Sequence, residues 1–254
     1  MKTAILAVSF GTTHLDTLDK TIRAVENDLA AAFPEAALYR AFTSRIVRSR
    51  LKSKYDIHVD SVEEALERMK RDGVQRVTVL PTLLIPGEEY DLLRSDVLLH
   101  AGELEISMGL PLLWDDGDLD AMIAVLERSY PVDGDTVLLA MGHGSAHASN
   151  CLYQRLAEKM SVRGGSIALC TVEGKPDFDD AAAQLKTLGK RRVHLVPMLL
   201  VAGDHSKNDM AGEEPDSLRR ILERAGFEVS WTLRGLGEIP EVREMYVRRA
   251  GAAL

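Results

Sequence analysis

The chain has 254 residues, 46% of them hydrophobic, enough apolar sequence for one large domain or two of ordinary size. Its formal net charge of -8 argues against a general nucleic-acid binder, which would present a basic surface to phosphate. No run approaches the roughly 20 apolar residues of a membrane helix, and Cys151 and Cys170 show no CxxC spacing, so a cytoplasmic protein without membrane attachment is expected.

Residues 3–10 (TAILAVSF) are apolar but too short for a signal peptide, have no A-x-A cleavage site and lead into Gly11-Thr12-Thr13; they predict a first buried strand. An amphipathic stretch follows over 15–33. Further strands are predicted near 37–42, 75–84 and 105–110, with another amphipathic stretch over 90–101. The second half predicts strands near 136–142, 166–172, 191–200 and 228–233. Short, almost wholly apolar strands alternating with longer amphipathic segments are the pattern of βαβ units whose sheets are covered on both faces. The expected class is α/β, with doubly wound parallel sheets.

The chain repeats itself. Residues 73–90 (GVQRVTVLPTLLIPGEEY) align without a gap on residues 189–206 (GKRRVHLVPMLLVAGDHS). The first strands of the halves also correspond, AILAVSFGT with TVLLAMGHGS, which aligns Phe10 with His143 and Glu89 with His205. Two similar lobes are expected, 1–132 and 133–254, meeting near residues 131–135, with an active-site cleft between them.

Ligands of open α/β sheets bind beyond the carboxyl ends of the strands. Three such positions in the second half carry His143, Glu173 and His205. His143 sits between Gly142 and Gly144, which let backbone approach a ligand closely. His205 follows the strand near 191–200 in AGDHSKND, close to Asp204 and Asp209. Each alone reads as a polar turn. Together, two imidazoles and a carboxylate can bind a divalent first-row metal while leaving coordination positions open. No compact spacing such as HExxH is present.

In the first half, Glu88 and Glu89 occupy the matching loop. They serve equally as the acidic first turn of a helix or as proton acceptors, and Glu89, aligned with His205, is the stronger candidate. Phe10, Gly11 and Thr12, with Glu88, Gly142 and Gly144, are expected to line the ligand site. The GTT and GSA segments lack GxGxxG or Walker spacing, so no nucleotide is expected. Arg40, Arg45, Arg48, Arg50, Lys52 and Lys54 form a basic stretch without an acid until Asp56; it reads as a solvated helix face or as an attractor for a polyanion. His194 is expected in the core. His14, His58, His100 and His147 are assigned no ligand role.

Several ordered segments, VSFGTTHLDT, YRAFTSRIVR, PGEEYD, MGHG, VEG, LVPMLLVAGDHSKNDM and GLGEIPEVREM, together resemble the sirohydrochlorin cobaltochelatases of the anaerobic cobalamin pathway, within the class II chelatase superfamily. The resemblance spans nearly the whole chain. It implies a bilobal fold with a tetrapyrrole cleft, metal binding by His143, Glu173 and His205, and an acidic residue at Glu89 on the opposing side. It also implies insertion of Co²⁺ into sirohydrochlorin, a polycarboxylate tetrapyrrole, with release of two protons. His143 or His205 is then available as a proton acceptor, the basic stretch for the carboxylate rim, and apolar residues around Phe10, Leu84 and Leu200 for the macrocycle faces. Nickel and copper outrank cobalt at N/O sites, so metal choice depends partly on supply, and Fe²⁺ or Ni²⁺ are expected substitutes in vitro. The alternatives are a sirohydrochlorin ferrochelatase for sirohaem, a non-catalytic binding protein built like solute receptors, and a metal carrier. Self-association is a further expectation with no motif behind it.

Overall fold

A computed structural model describes residues 2–254. The chain divides into two compact units, one comprising residues up to Trp114 together with Pro240–Leu254, the other Asp115–Ile239.

The first unit runs β1 (Thr3–Ser9), α1 (Leu15–Lys20), α2 (Ile22–Ala32), β2 (Ala37–Phe42), α3 (Arg45–Tyr55), α4 (Val62–Arg71), β3 (Arg76–Pro81), α5 (Glu88–His100) and β4 (Glu105–Met108). Its sheet is parallel throughout, in the order β2-β1-β3-β4. Central β1 is buried from Ala4 to Ser9, which is why it reads as a continuous apolar run. α4 begins at a capping box between Ser61 and Glu64 and buries Val62, Ala65, Leu66 and Met69, one face of an amphipathic helix.

The second unit runs α6 (Asp116–Ser129), β5 (Thr136–Gly142), α7 (Cys151–Ser161), β6 (Ile167–Thr171), α8 (Phe178–Thr187), β7 (Arg192–Pro197), α9 (Leu218–Arg224) and β8 (Glu228–Trp231). Its parallel order, β6-β5-β7-β8, reproduces that of the first unit. The expected doubly wound α/β class is therefore found, twice.

The repeat holds at single-residue register. Pro81 lies opposite Val8 and Pro197 opposite Met141. Thr82 N donates to Val8 O at 2.8 Å, and Met198 N to Met141 O at 2.7 Å. Both third strands end at these prolines, short of the expected residues 84 and 200, because proline donates no ladder hydrogen bond. The leucines beyond, Leu83, Leu84, Leu199 and Leu200, are loop residues whose carbonyls accept from Leu112, Leu113, Leu236 and Gly237. The edge strands β4 and β8 likewise stop at 108 and 231, earlier than expected.

The units differ from the expected 1–132 and 133–254 by one helix each way. The last helix, α10 (Pro240–Ala253), belongs to the first unit: the fully buried Tyr246 donates its hydroxyl to Thr82 O at 3.1 Å, and Arg243 pairs with Asp28 at 2.6 Å. α6 belongs to the second, where Asp116 meets Arg155 at 2.5 Å and Asp120 meets Lys159 at 3.0 Å, each pair one turn along facing helices. Among the described residues no helix is long and apolar enough to cross a membrane.

Candidate metal centre

His143 is the first residue beyond β5, and Glu173 lies two residues beyond β6. The ladder between these neighbours continues past their ends, with Val172 N donating to Gly142 O at 3.2 Å and Glu173 N to His143 O at 2.7 Å. The Glu173 carboxylate then comes within 3.8 Å of His143 Nδ1.

His205 arrives from the loop after β7 and opens a single π-type turn, Ser206–Met210, seated on the buried Ser206 and Met210. Its ring stands edge-on to that of His143, with centroids 4.7 Å apart. His143, Glu173 and His205, far apart in sequence, are thus gathered at the carboxyl ends of adjacent strands. All three are partly open, with side-chain exposures of 43%, 60% and 40% in that order, so an ion from solvent can reach them.

Both imidazoles have Nδ1 engaged. His143 Nδ1 lies 3.0 Å from Gly144 O, which can only accept, and His205 Nδ1 lies 2.8 Å from Asp209 Oδ2. A neutral ring in either place therefore carries its proton on Nδ1 and keeps the Nε2 lone pair for a metal, the arrangement typical of metal-binding histidines. Glu173 faces the Nδ1 side of His143, so its carboxylate has to turn to share an ion held at Nε2.

The glycines around His143 act through packing. Gly144 has a φ of +80°, and a Cβ there would meet Gly174 N at 2.6 Å. A Cβ at Gly142 would meet the Tyr153 ring at 2.6 Å. Tyr153 on α7 is buried and its hydroxyl faces the backbone N–H groups of His143 and Gly144; burial pushes its pKa up to about 12 against their opposing pull. Sequence reasoning missed Tyr153 entirely. It noticed Asp209 near His205 without a role; the spacing of four residues was the available signal.

The remaining expected site residues lie in the first unit, on an equivalent framework. Thr43 N donates to Ser9 O and Ser44 N to Phe10 O, the counterparts of the Val172 and Glu173 bonds. Gly87 N donates to Ile85 O as Gly203 N does to Val201 O, both at 2.9 Å. The positions equivalent to His143, Glu173 and His205 are thus Phe10, Ser44 and Glu89, so this unit keeps one of three donors. Phe10 is 49% exposed. Gly11 has a φ of +99° and its Cβ would enter the Phe42 ring. Thr12 is buried and its hydroxyl accepts from His14 N at 3.1 Å. Glu88 and Glu89 open α5, so their charges also suit its N-terminus.

The basic stretch is smaller than expected. Arg40 lies in β2 and forks onto the buried Glu26, which raises its pKa. What projects along α3 is Arg45, Arg48, Arg50, Lys52 and Lys54, with Lys52 paired to Asp56 at 2.5 Å. His194 is only partly buried, its ring held between Ser230 and Thr232, and desolvation lowers its pKa. Among the described residues, His58, Asp60 and Glu64 form the one group of three that brings a possible ligand atom each within 4.8 Å of the others, a spacing that His143, Glu173 and His205 do not reach with their side chains as they stand. Arg68 at 2.7 Å from Asp60 and Arg48 at 3.7 Å from Glu64 already balance those carboxylates, so this group reads as an ion-pair cluster.

Residues 3–254 match the family described as Cobalt chelatase (CbiK). The sirohydrochlorin cobaltochelatase of Salmonella typhimurium (strain LT2) is 36% identical over 256 residues, covering 100% of this chain and 97% of that protein. Sirohydrochlorin cobaltochelatase CbiKC of Nitratidesulfovibrio vulgaris is 31% identical over 258 residues, covering 100% and 91%. Among solved structures, SirB from Bacillus subtilis with Fe³⁺ superposes with a TM-score of 0.66 at 16% identity, covering 100% of this chain and 96% of that one, a likeness of fold alone.

Proposed function

Because the chain belongs to the cobalt chelatase (CbiK) family, we propose that it inserts Co²⁺ into sirohydrochlorin, the substrate for which both relatives are named. One divalent ion enters the macrocycle and two pyrrolic protons leave, so the chemistry is ligand exchange with no change of oxidation state. The observation that carries this reading is the pair of imidazoles, His143 and His205, with rings 4.7 Å apart and Nδ1 engaged on each, beside the Glu173 carboxylate.

In this reading His143, His205 and Glu173 replace part of the hydration shell of Co²⁺ and leave the other coordination positions for ring nitrogens. A set of three partly exposed protein donors holds the ion well enough to place it and loosely enough to release it. A closed four-ligand site would compete with the macrocycle for the metal. As the nitrogens take over, an imidazole released from the metal is a suitable acceptor for a pyrrolic proton. The proposal extends to Glu89 as a second proton acceptor, on the strength of its equivalence to His205, and to the cations of α3 as partners for the substrate's carboxylates. Asp209 holds the His205 ring in the tautomer that offers Nε2.

The test is anaerobic insertion of Co²⁺ into sirohydrochlorin, followed by the absorbance of the macrocycle. Saturable turnover by the native chain, lost in His143→Ala and His205→Ala and reduced in Glu89→Gln, is the expected result. Absence of acceleration by the native chain would leave a binding or carrier protein instead.

A further inference from the structure

His143 and Glu173 both stand beyond the ends of their strands, where two backbone bonds are all that remain of the β5–β6 ladder. Their side chains are too exposed for packing to fix them. The geometry of the pair therefore depends on how the 142–145 and 172–176 loops are held together.

Asn150 holds both. It ends a one-turn 3₁₀ segment, Ala148–Asn150, just before α7, and is 9% exposed. Its Oδ1 accepts from Ser145 N at 3.1 Å, and its Nδ2 donates to Lys175 O at 2.9 Å. The Ser145 amide can only donate and the Lys175 carbonyl can only accept, so the partners dictate the orientation of the side-chain amide. One bond lands two residues after His143 and the other two residues after Glu173.

The packing around this bridge leaves no slack. A Cβ at Gly174 would meet Asn150 Oδ1 at 2.4 Å and Ser145 N at 3.0 Å, and one at Gly144 would meet Gly174 N at 2.6 Å. The two loops touch glycine to glycine with the Asn150 amide wedged beside them. Aspartate could keep the Ser145 bond but has no donor for Lys175; leucine has neither, and glutamine is a methylene too long for the space.

We propose that Asn150 is a positioning residue that sets the spacing of His143 and Glu173 and, through it, the affinity of the site for Co²⁺. This rests on the reading of those two residues as metal-holding.

Asn150→Ala and Asn150→Asp are to be compared with the native chain and with His143→Ala in Co²⁺ titrations read by visible absorption, with circular dichroism to establish that each variant is folded. The Co²⁺ and sirohydrochlorin KM values are measured separately. Outer groups that orient metal ligands are worth about 10- to 100-fold in affinity. Asn150→Ala should weaken Co²⁺ binding by about that factor, alter the cobalt band and raise the KM for Co²⁺, with the KM for sirohydrochlorin unchanged. Asn150→Asp, which retains one bond and is the variant to rely on if the alanine form does not fold, should fall between. A folded variant of either kind with native cobalt affinity and an unchanged band overturns the proposal and leaves the metal site standing. Native protein that binds Co²⁺ no better than His143→Ala overturns the metal-site reading, and this proposal with it.

Discussion

Asp209 Oδ2, inside the π-type turn Ser206–Met210, accepts from Nδ1 of His205, the residue that precedes the turn, at 2.8 Å. Four positions apart, the two side chains emerge on one face, so the carboxylate fixes ring rotation and tautomer together. Asp209→Ala should raise the KM for Co²⁺ by about 10- to 100-fold and leave the KM for sirohydrochlorin unchanged. Asp209→Asn, which keeps an acceptor oxygen but loses the charge, should cost less. Steady-state kinetics with each substrate varied in turn decide the matter; an unchanged Co²⁺ KM in Asp209→Ala would show that His205 needs no such support.

Gly144 and Gly189 both have positive φ, +80° and +67°, but only Gly144 is crowded. An L-residue in this backbone region costs about 1–2 kcal/mol, and alanine at Gly189, with open space around its Cβ, should cost no more. Alanine at Gly144 must also displace Gly174 N or Thr171 and should cost at least about 2 kcal/mol. Urea unfolding gives both values. Equal losses would mean that the His143 and Glu173 loops separate more easily than their contacts imply.

The parts of this molecule that were legible in sequence are those that depend on chain-local pattern. The gapless match of 73–90 with 189–206 carries through to Pro81 and Pro197 in identical register, because prolines and glycines at strand ends serve backbone needs that both halves share. The placement of His143, Glu173 and His205 at neighbouring strand ends followed from the same pattern. The ownership of α6 and α10 did not. An amphipathic period shows that a helix buries one face, while which sheet it covers depends on pairs such as Asp116 with Arg155 or Tyr246 with Thr82, which are remote in sequence. Arg40 was grouped with its basic neighbours because its acid, Glu26, lies on the preceding helix. Tyr153 was invisible for a related reason: its polar partners are backbone N–H groups, which leave no mark on the sequence.

Tyr153 gives the fold an alkaline sensitivity. Its pKa rises from an ordinary value of 10.0 to about 12 on burial. With the folded value above the unfolded one, its contribution is complete below pH 10 and is lost as pH climbs from 10 through 12. At 1.36 kcal/mol for each unit, roughly 1 kcal/mol should be gone by pH 11. Tyr39 and Tyr130, also raised to about 12, add to the fall. Tyr153→Phe should begin less stable by about 1 kcal/mol, having lost an acceptor for the His143 and Gly144 amides, and should then decline less steeply. Urea unfolding from pH 8 to 11 measures both slopes; parallel curves would place the Tyr153 hydroxyl in contact with water.

The most direct test of the metal centre is the anomalous scattering of cobalt in crystals of the native chain equilibrated with Co²⁺. The expected peak lies about 2.0–2.2 Å from a ring nitrogen of both His143 and His205, with a Glu173 oxygen turned to complete the set. A principal cobalt peak elsewhere, at His58, Asp60 and Glu64 for example, with the two imidazoles left unligated, would contradict the assignment.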